Sequence, residues 1–74
     1  MPQVPLLKPR EAVKAFRKFG WQISRQRGSH IIMTKEGNIA TLSIPNHREV
    51  ARGTLRSLIV KAGIHIDEFI NAIN

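Results

Sequence analysis

His30 lies directly after Gly28-Ser29, with Arg25 and Arg27 five and three positions upstream. An imidazole side chain ordinarily exchanges a proton near neutral pH without needing an unusual environment. Guanidinium groups stay charged and grip phosphate oxygens with paired N–H donors. These residue types suit proton transfer beside a bound phosphodiester. RNA brings its own nucleophile, the 2′-OH. Cleaving it requires a base for that proton, an acid for the departing 5′ oxygen and cations that hold the phosphate. One histidine with nearby arginines supplies much of this without a metal, and the Ser29 hydroxyl adds a hydrogen-bond donor. Taken alone, a single histidine in a turn is more often an ordinary surface residue than a catalyst.

The other histidines carry less. His47 follows Pro45 and fits a structural loop better than a phosphate contact or a helix cap. His65 sits among apolar neighbours and reads as structural, and Trp21 reads as core. The three histidines are seventeen and eighteen residues apart, with no carboxylate flanking them in a ligand-like pattern. With no cysteine in the chain, thiolate zinc sites are excluded, so neither a metal site nor a cofactor is expected. The sequence has no glycine-rich phosphate loop and no recognisable Ser-His-Asp set.

Charge narrows the partner. Twelve Lys and Arg oppose five Asp and Glu, a net +7. Every cation falls between Lys8 and Lys61, and beyond Lys61 the acidic groups Asp67 and Glu68 remain. Such a field captures polyanions, nucleic acid first among them. No apolar run is long enough to cross a bilayer, and the N-terminal residues lack the apolar core of a signal peptide. A cytoplasmic protein without a membrane partner is expected. At 74 residues and 42% hydrophobic content, residues 1–74 are read as a single folded domain.

The elements that must position His30 follow from periodicity. Met1 to Lys8 reads as an extended lead-in. Pro9 suits a first helical position, Val13, Phe16 and Phe19 recur at helical spacing, and Gly20 is a natural helix terminator. Arg10, Lys14, Arg17 and Lys18 form a basic stripe on that helix, equally readable as a solvated face or as a polyanion contact. Three strand-like runs follow, Trp21 to Arg27, His30 to Lys35 and Ile39 to Ile44, separated by turns at Gly28 and at Glu36-Gly37-Asn38. Alternation leaves open which face His30 occupies. A second helical region has Val50, Leu55, Leu58, Ile59 and Ala62 on its apolar side, Arg48, Arg52 and Arg56 on another, and Gly63 at its end. A short helix from Ile66 to Ile73 closes the chain. The expected fold is α+β, an α-β-β-β-α two-layer sandwich with a short C-terminal helix, the order of a double-stranded-RNA-binding domain.

Four blocks in this order resemble a known family. They are Gly20-Trp21 after the first helix, Arg25-Gln26-Arg27-Gly28-Ser29-His30, Ser43-Ile44-Pro45-Asn46-His47, and Gly53 to Ile59 with Ala62-Gly63-Ile64. Their order and spacing resemble the HicA toxins of bacterial and archaeal toxin–antitoxin pairs, over about Lys8 to Phe69. The resemblance implies a fold like that of double-stranded-RNA-binding domains and a metal-independent mRNA interferase, with His30 as catalytic residue. It also implies a HicB-type antitoxin that blocks the site. Relatives often carry an aromatic residue where this chain has Met33 and a serine-like cap where it has His65. The second difference is expected to weaken the last helix cap by part of about 1 kcal/mol.

The resulting expectation is a toxin-type endoribonuclease. His30 acts as general acid or base, Arg25, Arg27 and Ser29 contact the scissile phosphate, and Lys14, Arg17, Arg52 and Arg56 contact the RNA backbone. The alternatives are a non-catalytic RNA-binding module of the same fold and a protein-interaction domain whose basic face meets an acidic partner.

Overall fold

A computed structural model describes residues 3–73; Met1 and Pro2 of the predicted lead-in lie outside the described residues. The elements are α1 (Pro9–Arg17), β1 (Gln22–Arg27), β2 (His30–Lys35), β3 (Asn38–Pro45), α2 (Arg52–Lys61) and α3 (Ile66–Ile73). The strands form an antiparallel meander in the order β1-β2-β3. The α+β order expected from the sequence is the one observed.

Helix α1 begins where its sequence says it should. Pro9 takes the first position, and the Glu11 carboxylate accepts the Lys8 backbone N–H at 2.8 Å, satisfying a donor that the helix leaves unpaired. Its end is a Schellman motif. Gly20, at φ +93°, donates to the Arg17 carbonyl at 3.0 Å, and Trp21 donates to the Phe16 carbonyl at 3.2 Å. The same pair of bonds closes α2 around Gly63, from Gly63 to Val60 and from Ile64 to Ile59. The positive φ is what calls for glycine at 20; a Cβ there would also lie 3.2 Å from Cε of Lys35, a contact that this flexible side chain can relieve. Helix α3 starts after His65, whose N–H reaches the Glu68 carboxylate at 3.4 Å. Glu68 thus pairs the N–H of the residue that precedes the helix.

The helices lie on one face of the sheet. Met33, Leu42 and Ile44 point into the layer between, where they meet Phe16, Trp21, Leu55, Ile59 and Phe69, all fully buried. Phe69 anchors the short α3: its ring packs against Phe16 at 4.8 Å between centroids and against Phe19 at 6.4 Å. Lys18 Nζ also donates to the Ala72 carbonyl, tying the end of α1 to α3.

Two local expectations are corrected. The first strand begins at Gln22, because Trp21 is the residue that closes the turn after α1 and drops into the core. Val50 and Arg48 precede α2 rather than riding on it: Val50 donates to the Leu7 carbonyl at 2.8 Å and forms an isolated antiparallel bridge with Leu7. That bridge brings the lead-in into the structure, with Val4 and Leu7 buried. Arg52 Nε donates to the Val4 carbonyl at 2.9 Å and holds the same segment.

Because Phe69 is the buried aromatic of an eight-residue helix, Phe69→Ala is expected to cost about 3–5 kcal/mol. Urea denaturation followed by circular dichroism measures this loss, which should exceed that of Ile70→Ala on the same helix.

Candidate active site on the open face of the sheet

Parity along β2 is settled by burial. Met33 is fully buried and Ile31 packs against the core, so odd positions face the helices. His30 and Ile32 therefore face the other side, which no helix covers. His30 occupies the central strand, opposite Arg27 on β1 and Pro45 on β3.

The turn before His30 explains its glycine. Arg27 pairs with His30, so Gly28-Ser29 is a two-residue hairpin loop. Gly28 has φ +56°, whereas among the described residues no non-glycine residue has positive φ. Positive φ at the first loop residue alone is the pattern of a type II′ turn, whose twist matches that of the strands. The turn is held from its other side as well: the Asn46 N–H donates to the Ser29 carbonyl at 2.6 Å, extending the β2–β3 ladder by one residue pair. His30 thus follows a turn clamped by both neighbouring strands. Asn46 belongs to the Ser43-to-His47 block of the sequence, but nothing there showed that its N–H would hold this turn.

The arginines reach this face through an irregularity. Ile23 pairs with Met33, but Arg25 pairs with Ile32, so one extra residue, Ser24, is inserted in β1. Strict alternation from Ile23, which shares the helix side with Met33, would have turned Arg25 and Arg27 toward the helices. The bulge moves both to the open face and turns Gln26 the other way. Arg27 is then directly across from His30, about 5 Å between Cβ atoms, and Arg25 is its diagonal neighbour at about 7–8 Å. Arg25, Arg27, Ser29 and His30 are all exposed. Among the described residues neither guanidinium nor the imidazole has a side-chain hydrogen-bond or ion-pair partner. Two uncompensated positive charges thus flank an accessible imidazole, an arrangement suited to holding an anion and moving a proton beside it.

The other four cations expected to contact RNA lie elsewhere. Lys14 and Arg17 are exposed on α1, in the helix layer alongside the β1 edge. Arg52 and Arg56 are exposed on α2, which packs on β3 and α3 on the helix side. These four are not gathered around His30, and His47 is exposed in the bend after β3. Among the described residues no three His, Cys, Asp or Glu side chains are grouped to hold a metal ion, and no helix is long and apolar enough to cross a membrane.

The hairpin geometry makes a chiral prediction. Nothing lies within 4 Å of a Cβ built at Gly28, so replacing it tests the backbone alone. Gly28→Ala is expected to lose about 1 kcal/mol, the cost of forcing an L-residue into left-handed backbone. The chemically synthesised chain with D-alanine at position 28 should lose nothing. Urea melts of the two compare them directly.

Comparison with known proteins agrees with the architecture. A sequence model of the HicA toxin of bacterial toxin–antitoxin pairs matches residues 9–64. No curated protein gives a significant match. The matched span starts at the first residue of α1, takes in the whole sheet with its Gly28-Ser29-His30 turn, and ends one residue past the Gly63 terminator of α2. It covers well over half of the chain, which therefore belongs to the HicA family of toxins.

Proposed function

We propose that this toxin is a metal-independent endoribonuclease that cleaves mRNA, with His30 as its proton-transfer residue. The observation that supports the reading most is the Ser24 bulge, which sets Arg25 and Arg27 on the same uncovered face as His30. A structural surface histidine would need no such arrangement.

In the proposed reaction an RNA phosphate rests against the two guanidiniums, with the Ser29 hydroxyl as a further donor. The imidazole takes the proton of the 2′-OH. The 2′ oxygen attacks phosphorus, the P–O5′ bond breaks, and the departing 5′ oxygen takes a proton from the imidazolium or from water on this exposed face. The products are a 2′,3′-cyclic phosphate and a 5′-hydroxyl end. Negative charge grows on the non-bridging oxygens during attack, and fixed positive groups lower the barrier most at that point. Lys14, Arg17, Arg52 and Arg56 attract the flanking backbone with little sequence preference. A toxin of this family implies an antitoxin partner, here of the HicB type, which relieves growth inhibition by blocking the toxin in the cytoplasm.

His30→Ala is expected to lower the rate of RNA cleavage by about 100- to 10,000-fold, the usual worth of a general acid–base group. RNA affinity should be little changed, and expression of the variant should no longer arrest growth. Parent activity should persist in a metal chelator. A His30→Ala chain that cleaves RNA and arrests growth like the parent rejects the mechanism. A parent chain that binds RNA and leaves it intact favours the non-catalytic module.

Removing a phosphate contact has a separate signature. For single-stranded RNA, Arg27→Ala should flatten the plot of log affinity against log salt by about 0.7, the share of one phosphate. Titrations by fluorescence anisotropy at several salt concentrations read this slope.

A further inference from the structure

The open face of the sheet extends well beyond the hairpin that carries His30. Pairing across the strands sets its side chains in rungs. The first rung holds Arg27 and His30, the second Arg25 and Ile32, and the third Gln22, Thr34 and Thr41. Thr34 is on the same strand and the same face as His30, about 13 Å away at the usual strand rise. There the sheet meets the terminator of α1, and a cavity of about 500 Å³ opens, lined by Gly20, Gln22, Thr34, Lys35 and Glu36. The Lys35 stem lies over Gly20, and Glu36 begins the hairpin loop beyond it. Among the described residues, the side chains of Gln22, Thr34, Lys35 and Glu36 have no hydrogen-bond or ion-pair partner.

We propose that this cavity is a base-reading subsite that takes a guanine of single-stranded RNA, near the nucleotide cut at His30. The proposal rests on the ribonuclease reading for the identity of the polymer, but not for the chemistry of cleavage. The rungs differ in character. The first two carry arginines, which suit a phosphate backbone. The third carries none, and the cavity beside it holds a carboxylate, Glu36, which repels phosphate. A base edge fits there instead. Guanine presents two adjacent donors, N1–H and the N2 amino group, which match the two oxygens of one carboxylate. No other RNA base has such a pair. Its O6 and N7 acceptors match the Lys35 ammonium. The Gln22 amide and the Thr34 hydroxyl both donate and accept, so they complete the edge. Reading of this kind requires a base whose pairing edge is free, which a duplex would hide. Ile32, half-buried on the middle rung, gives the intervening strand an uncharged surface to cross. The separation from His30 assigns the base to a neighbour of the nucleotide that is cut.

The test uses the full chain and fluorescein-labelled 2′-O-methyl oligouridines, which lack the nucleophile and so stay intact. One probe is plain, and the others carry a single guanosine, adenosine or cytidine. At one fixed salt concentration, anisotropy titration should show the parent binding the guanosine probe roughly tenfold more tightly than the plain one, the worth of a good pair of base-edge hydrogen bonds. Glu36→Gln should abolish that preference and Gln22→Ala should reduce it. Both positions are exposed, so both variants should keep the parent's circular dichroism spectrum and its affinity for the plain probe. The sign at Glu36 separates reading from general electrostatics. A carboxylate that only repels RNA would, once removed, raise affinity for every probe alike and leave the preference in place. A guanosine preference retained by Glu36→Gln therefore overturns the proposal. So does equal binding of all probes by the parent, or a preference for adenosine or cytidine. On unmodified RNA the parent should cut at a fixed distance from guanosine, and Glu36→Gln should cut without regard to it. A chain that prefers the guanosine probe but leaves unmodified RNA intact rejects only the ribonuclease reading.

Discussion

The register of β2 is held from beneath by Met33, buried between the sheet and the helices next to Leu42 on β3. Side chains alternate across a strand, so a slip of one residue would drive His30 inward and expose Met33. Neither change is tolerable in a domain with so thin a core. The covered face therefore dictates the composition of the uncovered one. His30 is accessible because the next residue in β2, Ile31, is committed to the interior and alternation puts His30 on the opposite face.

The interior itself depends on aromatic packing from distant parts of the chain. Phe16 comes from α1, Trp21 from the turn after it, and Phe69 from α3. The Phe16–Phe69 contact joins the two ends of the sequence above the sheet. Among the described residues, the Trp21 indole N–H is buried without a protein acceptor. An unsatisfied buried donor costs about 1–3 kcal/mol. The ring's large apolar area, sealed beneath the α1 terminator, offsets that cost.

Much of this was readable from residue types. Pro9 and Gly20 bracket α1, Gly63 ends α2, and Gly28 marks the hairpin, because each meets a local backbone demand that few residues can satisfy. The three strands followed from short apolar alternation, and the closeness of Arg25, Arg27 and His30 in sequence put them on one hairpin. What the sequence concealed was non-local. The Ser24 bulge appears only when β1 is paired with β2, since nothing in Ile23-Ser24-Arg25 specifies two residues opposite one. Simple alternation would have placed the arginines on the wrong side. The Leu7–Val50 bridge was hidden for the same reason, as the two residues are far apart in sequence and neither sits in a long strand. Val50 therefore read as the start of a helix, and Arg48 as its first cation.

The bulge has one more effect. As first in the sheet order, β1 exposes one row of backbone N–H and C=O groups to solvent along its outer side. A flat strand in that position invites another chain to add itself, which is how small β-containing proteins begin to aggregate. An inserted residue increases the local twist and breaks the even spacing of that row. Two arginines beside it add charge to the edge, a further obstacle to pairing with another chain. The irregularity that aims Arg25 and Arg27 at His30 thus also makes the edge a poor template, and helps a small basic chain stay dispersed while it is being made.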